Sequence, residues 1–376
     1  MRAISRRHFG FGATAALSTL TLGSRDAVSQ TKGSVSIGVI FPTKSIIGRQ
    51  GVQGANIAAD FVNADGGIDG KEMRLIVYDT NYSPVEGVAA IQRLLTQDDV
   101  RIVVGEISST VALAAIPVVK SEDALLMLSV PKHPDVTKSG YDRVFRLNTT
   151  SVMDAASFNG YLLKTVAPSK IALLAENNDV GRLGIEDAKK SFGSRLVFTD
   201  IFDVKQSDFS ALASNTRGSG ADLVCIVASN PEQSGNLIKS MADVGFAPKR
   251  CLMPGFLNND LPKVAGRAAD GVFSEDIYAA SIDTDLNRKF VKAYETKYGS
   301  IPGKIELLGF ESVWIMAQAM KKGGTTTDTK RLAEVLHSNK WTSPRGTVSF
   351  DATGQASSDH VYRVEVKDGQ VVATQR

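Results

Sequence analysis

Short apolar runs alternate with amphipathic stretches along most of the chain. Val35–Phe41 (VSIGVIF) is a continuous apolar run rich in β-branched residues, which predicts a buried strand, and 73–79, 101–105 and 125–129 repeat the type. Between the first two runs, one face of a predicted helix carries apolar residues at helical spacing: Val52, Ala55, Ala59 and Val62. Strands and helices that alternate in this way predict a parallel sheet covered on both faces.

The same pattern then restarts, which predicts a second α/β lobe. Four more strands are predicted at 170–176, 195–202, 221–228 and 250–253, with helices near 181–192, 207–217 and 231–244. After Tyr278 three helices are predicted, at 285–298, 304–321 and 328–338. The chain then turns at 343–346 and ends in a hairpin, in which Asp368-Gly369 has the residue types of a tight turn.

Composition and charge separate a leader from the rest of the chain. With 43% hydrophobic and 22% charged residues, the 376-residue chain has the balance of a globular protein and is too apolar for a disordered one. Residues 1–29 hold four arginines against one aspartate, which accounts for the whole formal net charge of +3. The remainder is neutral, so the basic charge gives no indication of a nucleic-acid partner.

The leader has the features of an export signal. Paired arginines before Phe9, a mild apolar run and the small residues at 27–29 predict a twin-arginine-type signal peptide over 1–29. The apolar run falls short of the roughly 20 residues that span a bilayer, so we expect a soluble mature protein in the periplasm. A disordered basic tail is the alternative interpretation. We expect Cys225 and Cys251 to be buried, reduced thiols, although an oxidising compartment permits a disulfide.

Motifs for catalysis and metal binding are missing from the sequence. It contains no glycine-rich phosphate loop, no nucleophile elbow and no HExxH motif, and none of its four histidines has metal-ligand spacing. Basic residues are scattered, without the aromatic residues expected of a nucleic-acid surface. We therefore expect the protein not to be an enzyme and to need neither a metal nor a cofactor.

One segment, 105–110 (GEISST), indicates ligand chemistry. It leaves a strand end and enters a predicted helix, where hydroxyls and free backbone N–H groups meet the positive end of the helix dipole. Ser108, Ser109 and Thr110 are therefore candidates for binding a carboxylate. Ordinary N-capping by Ser108 or Ser109 competes with this interpretation, and the residue types alone favour capping.

Five short segments follow one another in a characteristic order between residues 33 and 370. They are NADGGIDG at 63–70, GEISSTVA at 105–112, DFSAL at 208–212, AGRAADGV at 265–272 and GFESV at 309–313. Together they resemble the branched-chain amino-acid type of solute-binding proteins of ABC importers, which have the type I periplasmic binding fold.

This resemblance implies an α/β fold of two doubly wound parallel-sheet lobes joined by three crossings. Lobe 1 is expected to comprise 33–150 and 279–345, and lobe 2 is expected to comprise 151–278 and 346–376. A small carboxylate-bearing solute would bind in the cleft and stabilise hinge closure, and the permease subunits of an ABC importer would recognise the closed form. The resemblance implies no cofactor, and we expect a monomer.

The family's serine pair, which meets the ligand carboxylate, is kept here as Ser108-Ser109, and this reverses the preference for capping. The loop after the next strand differs. It carries Lys132 and His133 where the family usually has small residues with a hydroxyl group. A solvated loop is the alternative interpretation of both, because charged loop residues are usually exposed.

The positions that hold a solute ammonium in the family have also changed. They align with Ser151 and Phe256, neither of which is acidic, and Val180 replaces an aromatic residue. An unpaired ammonium in a closed cleft loses its hydration at a cost of several kcal/mol, so we expect an amine-free solute, with an aromatic or short organic acid as the leading candidate. A core role is the alternative for Phe256. Gln50 and Phe310 are weaker candidates, because their types favour a solvated loop and a core aromatic.

Other functions stay open at this point. A branched-chain amino acid is the alternative ligand. The same fold acting as the ligand sensor of a signalling complex is an alternative function, and an exported enzyme is a more distant one, because a fold alone does not fix a function.

Overall fold

A computed structural model describes residues 33–203, 205–228, 230–358 and 361–375, so the signal peptide predicted at 1–29 lies outside the described residues. The strands are β1 Val35–Phe41, β2 Met73–Asp79, β3 Ile102–Gly105, β4 Leu125–Leu128, β5 Val144–Arg146, β6 Ile171–Glu176, β7 Leu196–Phe202, β8 Leu223–Val227, β9 Lys249–Leu252, β10 Phe273–Asp276, β11 Lys340–Ser343, β12 Gly346–Phe350, β13 Ala356–Ser358, β14 Tyr362–Lys367 and β15 Gln370–Gln375.

The helices alternate with these strands. They are α1 Ile46–Ala64, α2 Pro84–Thr96, α3 Ser109–Ser121, α4 Ser151–Tyr161, α5 Asp179–Phe192, α6 Ser210–Gly218, α7 Pro231–Asp243, α8 Leu261–Ala265, α9 Asp285–Tyr298, α10 Lys304–Gly323 and α11 Thr329–Ser338. Eight of them begin after a residue whose side-chain oxygen accepts a hydrogen bond from an amide of the first turn. This bond gives a partner to an amide that has none within the helix. The capping residues are Ser45, Ser83, Ser108, Thr150, Asn178, Asn230, Thr284 and Asp328.

Lobe 1 is built on a sheet of five parallel strands in the order β2-β1-β3-β4-β5. Successive buried side chains of a strand enter different clusters: Val39 and Val104 pack with α1 and α10, whereas Ile40 and Val103 pack with α2 and α3. Helices therefore cover both faces, which explains why these strands are continuous apolar runs in the sequence.

Lobe 2 repeats this arrangement on a seven-stranded sheet in the order β15-β14-β10-β9-β8-β6-β7, in which β14 and β15 add to one edge in antiparallel fashion. The structure confirms the predicted α/β fold of two doubly wound lobes. β14 and β15 are joined by the predicted tight turn, where Asp368 and Gly369 have φ of 49° and 73°.

Within the part of the chain that the structure describes, no helix combines the length and the apolar character that a membrane span needs.

The last crossing between the lobes lies later in the chain than the predicted position after residue 345. β12 and β13 pair with β11, and Gln355 forms a parallel bridge with Arg146 of β5 in lobe 1. β14 then pairs with β10 in lobe 2. The difference arises because the turn at 344–345 closes the β11–β12 hairpin within lobe 1, so residues 346–358 lie with lobe 1 and the chain crosses after Ser358.

The two cysteines lie side by side in the core of lobe 2. Cys225 of β8 is directly opposite Cys251 of β9, and their sulfur atoms are 3.3 Å apart. Both are free, buried thiols, as the sequence predicts. Burial raises the pKa of the Cys251 thiol well above its usual value, so the thiolate needed for reaction is disfavoured in the folded protein.

Candidate functional site

The two lobes contact each other where the carboxyl ends of their strands meet. Residues after β4 of lobe 1 reach residues after β9 of lobe 2, and the first residue of α10 reaches the end of β10. In α/β proteins, ligands bind in crevices at the carboxyl ends of parallel strands. This junction is therefore the candidate site.

Ser108 has the capping role that competed with ligand binding. Its hydroxyl oxygen accepts from the amide of Val111 at 3.4 Å and so begins α3. Its own amide donates to Oε1 of Glu106 at 2.7 Å. The Ser108 amide is therefore already occupied by a carboxylate from the chain itself.

Ser109 anchors the loop that carries Lys132. Its hydroxyl oxygen accepts from the amides of Lys132 at 3.1 Å and of His133 at 3.2 Å. Because both bonds use the oxygen as acceptor, the hydroxyl proton stays available for a bound anion. Thr110, the next residue of α3, is exposed.

Glu106 is a feature of the site whose importance the sequence analysis did not single out. It is fully buried and has a φ of 67°, directly after Gly105 with a φ of 116°. Burial raises the pKa of the Glu106 carboxyl group, against the hydrogen bonds that favour its ionised form. Glycine favours a positive φ at position 105, but the residue type of Glu106 gives no sequence signal for its own positive φ.

Lys132 is not a solvated loop residue. Its ammonium forms an ion pair with Asp154 of α4 and donates to the carbonyl oxygen of Pro254 at 3.1 Å. The side chains of Lys132 and Asp154 are only 19% and 13% exposed. Ser151 lies beside them, because its amide donates to the carbonyl oxygen of Lys132 at 3.1 Å. The structure thus brings together Lys132, Ser109 and Ser151, which the sequence analysis named separately.

A second lysine extends this group across the lobes. Lys304, at the start of α10, pairs with Asp276 at 3.1 Å and donates to the carbonyl oxygen of Gly255 at 3.1 Å. Burial lowers the pKa of the Lys304 ammonium despite the nearby aspartate. Gly255 has a φ of 87°, which other residues rarely adopt, and a Cβ there would lie 2.2 Å from Nζ of Lys304 and 2.8 Å from Nζ of Lys132, so both its backbone and its surroundings favour glycine.

We call Lys132, Asp154, Lys304 and Asp276 the interlobe charge cluster. Of these four residues, only Lys132 was named from the sequence. The other three were missed because lysine and aspartate are usually surface residues, and their type gives no indication of burial. The cluster contains two cations and two anions, so it is formally neutral.

His133 has a local structural role. Its Nδ1 accepts from the amide of Asp135 at 3.2 Å, which caps the short 3-10 helix Pro134–Thr137. Its carbonyl oxygen accepts from the guanidinium of Arg146. The side chain is thereby turned toward Asp135, in agreement with the loop interpretation.

Of the two aromatic candidates, Phe310 lies in the core of lobe 1. It is fully buried, and its ring centroid lies 4.7 Å from that of Phe290 and 5.6 Å from that of Phe61. Side chains of α1 and α9 enclose it, which agrees with the core role that its residue type favours. Phe256 is partly buried against the core of lobe 2 and follows the two carbonyl groups that hold the lysines.

Several apolar side chains are exposed on segments near the carboxyl ends of the strands. Val180 is 46% exposed in the first turn of α5, after β6. Val152, Met153 and Leu183 in lobe 2 and Tyr82 in lobe 1 are exposed at the same ends of their sheets. Gln50 is partly exposed, but it lies within α1, which begins at Ile46, and not in a loop.

Among the described residues, no group of three or more His, Cys, Asp and Glu side chains is placed to hold a metal ion. The chemistry of the junction is therefore that of hydroxyls, helix amides, paired charges and apolar side chains. Such groups bind small solutes noncovalently.

Comparisons with known proteins agree with this architecture. The family described as periplasmic binding protein matches residues 34–370. The chain belongs to this family. Its sequence is 26% identical over 354 residues to the Leu/Ile/Val-binding protein homolog 3 of Brucella melitensis, covering 92% of this chain and 94% of the relative.

Solved structures show the same fold. The branched-chain amino acid transporter substrate-binding protein LivJ of Streptococcus pneumoniae, in complex with isoleucine, has a TM-score of 0.81 at 20% identity and covers 91% of this chain and 100% of that one. A solute-binding protein of an ABC transporter from Rhodopseudomonas palustris BisB5, in complex with 3,4-dihydroxybenzoic acid, has a TM-score of 0.79 at 24% identity, with 91% and 96% covered.

These comparisons confirm the branched-chain amino-acid type of periplasmic binding fold. The protein is a periplasmic binding protein, and the curated relatives that it matches are binding proteins. Membership of this family implies a place outside the cytoplasm.

Proposed function

We propose that the protein captures a small carboxylate-bearing solute between its lobes and delivers it to the membrane permease of an ABC importer. The observation that carries this proposal is the arrangement at the start of α3, where the Ser109 hydroxyl lies beside the Lys132 segment. A hydroxyl proton, helix amides and an ammonium are the donors that a carboxylate requires.

The solute is expected to lack an amine. The two buried aspartates of the interlobe charge cluster are each paired with a lysine of the chain. A solute ammonium at this junction would meet two cations and would have to displace one of them from its aspartate. That exchange costs desolvation without adding an ion pair, so it disfavours amino acids.

The body of the solute is expected to be aromatic or short and aliphatic. Val180, Leu183 and Tyr82 are exposed apolar side chains at the ends of the sheets that face the junction. They would gain about 25 cal/mol for each Å² of apolar surface buried with the solute. Structural similarity at 20–24% identity establishes the fold alone. The isoleucine and dihydroxybenzoate of the solved structures therefore do not identify the ligand of this protein.

A thermal-shift screen followed by calorimetry tests the ligand class. The panel contains benzoate, 4-hydroxybenzoate, short keto acids, leucine and valine. A ligand that binds only the folded form at 100 times its Kd adds about 2.7 kcal/mol to the free energy of unfolding, which raises the melting temperature measurably. We expect the melting temperature to shift with the amine-free carboxylic acids of the panel. Submicromolar binding of leucine would overturn the amine-free assignment.

Delivery to a permease is tested in the producing cells. Deletion of the gene is expected to abolish uptake of the identified acid at concentrations near its Kd, and plasmid-borne protein is expected to restore it. Unchanged uptake together with a lost transcriptional or motility response would identify the protein as a sensor. Recovery of the unaltered acid after long incubation with the protein checks that it is not turned over.

A further inference from the structure

The ammonium of Lys132 is held in the way that a bound solute's ammonium would be held. It pairs with the carboxylate of Asp154 and donates to the carbonyl oxygen of Pro254 at 3.1 Å. A carboxylate and a carbonyl group are suitable acceptors for any primary ammonium, because such a group offers three donors and no acceptor. Two of these donors are used by lobe 2, and no contact within the described part of the chain gives the third an acceptor, so it can serve an anion.

The main chain of Lys132 is fixed on both sides. Its amide donates to the Ser109 hydroxyl, and its carbonyl oxygen accepts from the amide of Ser151 at 3.1 Å. The main chain of Lys132 is therefore tethered to the first residue of α3, the predicted carboxylate site, and to the first residue of α4, while its ammonium reaches Asp154 within α4. It bridges the same elements that a solute with both a carboxylate and an ammonium would have to bridge.

The charges near Lys132 favour an anion over a second cation. Lys304 pairs with Asp276 on the neighbouring carbonyl of Gly255, so both aspartates of the interlobe charge cluster already have a partner. A solute ammonium would add a third cation to a neutral cluster, whereas a carboxylate would lie near two ammonium groups. Repulsion between like charges is strongest where water is excluded, so the cluster favours an anion.

We propose that Lys132 determines the specificity of the site by replacing the solute's ammonium with one that belongs to the chain. This inference rests on the proposed function and names the residue that excludes amines. Lys132 then contacts the solute carboxylate directly, while Asp154 positions Lys132.

Matched pairs of probes isolate the ammonium. 4-Methylpentanoate is leucine without its amino group, and 3-phenylpropanoate is phenylalanine without its amino group. Calorimetry with the purified protein gives a preference ratio for each pair, the Kd of the amino acid divided by the Kd of the amine-free acid. The proteins compared are the wild type, Lys132→Met, Lys132→Arg, Asp154→Asn and the double variant Lys132→Met/Asp154→Asn.

We expect the wild type to prefer the amine-free acid. Lys132→Met should weaken binding of that acid about tenfold to 100-fold, the range of a charge-assisted hydrogen bond, and should strengthen binding of the amino acid, because Asp154 becomes free for its ammonium. Lys132→Arg and Asp154→Asn keep a cation at the site and should keep the preference.

The double variant is needed if the Lys132→Met protein does not fold because the charge of Asp154 has lost its partner. Asp154→Asn and the double variant share a neutral residue at position 154 and differ only in Lys132, so the preference ratio should fall by about tenfold or more between them. An unchanged ratio between these two proteins would show that Lys132 has only a structural role, and the inference would be wrong while the proposed function stands.

The proposed function fails in a different way. If the wild type prefers the amino acid in both pairs, or if none of the amine-free acids of the pairs and of the thermal-shift panel binds, the amine-free carboxylate is not its ligand class. The inference about Lys132 then falls with it.

Discussion

At Gly54 the carbonyl oxygen of Glu306 occupies the space that a side chain would need. A Cβ built there would lie 1.9 Å from that oxygen, and one on Gly309 would lie 2.0 Å from the carbonyl oxygen of Gly51. α1 and α10 therefore pack with their backbones in direct contact, which places the first residue of α10, Lys304, at the junction of the lobes. If α1 and α10 could not pack this closely, Lys304 of the charge cluster would be displaced.

Gly54→Ala is expected to destabilise the protein by about 1–3 kcal/mol or more, because the helices must separate to admit a methyl group. The midpoint of urea unfolding measures this loss. Gly160→Ala is the matched control: Gly160 also lies in a helix, but a Cβ there meets nothing within 4 Å. The control should be neutral or stabilising by about 0.4–1 kcal/mol. Equal destabilisation by both variants would contradict the packing argument.

Glu306 is a buried acid whose ionisation opposes folding. Its carboxylate accepts from the amide of Gly303 at 2.9 Å and caps α10, yet burial raises the pKa of Glu306 from 4.5 to about 7. Between these two values the folded state binds a proton that the unfolded state has released. The free energy of unfolding therefore falls as the pH rises from 4.5 to about 7.

From the size of the pKa shift, ionisation of Glu306 is expected to lower the free energy of unfolding by about 3 kcal/mol across this pH range. Glu306→Gln keeps an acceptor for Gly303 but cannot ionise. Urea unfolding at several pH values should show that the variant lacks this part of the decline and is more stable than the wild type at pH 8. Parallel pH profiles for the two proteins would rule out this account of Glu306.

At the scale of elements, α3 positions the loop after β4 through one hydroxyl. Ser109→Ala removes the acceptor of the Lys132 and His133 amides. We expect the affinity for a carboxylate solute to fall about tenfold or more, with a smaller loss of stability, because the loop carries the ammonium. Calorimetry and thermal melting separate the two effects. Ser121, an exposed serine at the other end of α3, is the control: Ser121→Ala should alter stability by less than about 0.5 kcal/mol, and an equal loss of affinity there would contradict the anchoring role.

The elements that the sequence predicted well are those with a clear pattern of apolar residues. β1 and α9 were predicted with the bounds that the structure has, because Val35–Phe41 is a continuous apolar run and Asp285–Tyr298 carries its apolar residues in helical register. β5 and β10 were missed. They have three and four residues, and β10 (FSED) buries polar side chains that no hydropathy pattern would assign to a core.

The candidate site was predicted in part for the same reason. Ser109 was found because it follows a predicted strand and enters a predicted helix, and Lys132 was found because it departs from the small hydroxyl residues usual in the family. Asp154, Lys304 and Asp276 were not, because their burial depends on pairing between elements that are distant in sequence. A lysine at a helix start predicts exposure unless the tertiary structure brings an aspartate to it.

At the scale of the whole molecule, the charge cluster connects the two lobes. Lys304 belongs to α10 on lobe 1, and Asp276 ends β10 of lobe 2, and the two side chains are 7% and 6% exposed. A lysine buried by the opposite lobe is stable only while its partner is charged, because an unpaired buried cation is strongly destabilising. When the lobes separate, water can replace the partner. The balance between open and closed forms should therefore depend on Asp276.

Asp276→Asn leaves the shape of the junction intact but removes the charge that compensates Lys304. We expect the ligand-free variant to have a larger radius of gyration by small-angle scattering than the wild type, because opening hydrates Lys304. Since only the closed form holds the solute from both sides, the apparent affinity should fall by about tenfold or more. At saturating solute the two proteins should reach the same radius of gyration.

Asp60→Asn is the matched control for this experiment. Asp60 pairs with Lys297 at 2.6 Å, but this exposed pair joins α1 to α9 within lobe 1, so it does not change when the lobes move. An exposed pair contributes about 0–1 kcal/mol and should affect neither the radius of gyration nor the affinity. If Asp276→Asn behaved like Asp60→Asn in both measurements, the cluster would not govern closure, and its burial would then be a property of the junction in the closed form alone.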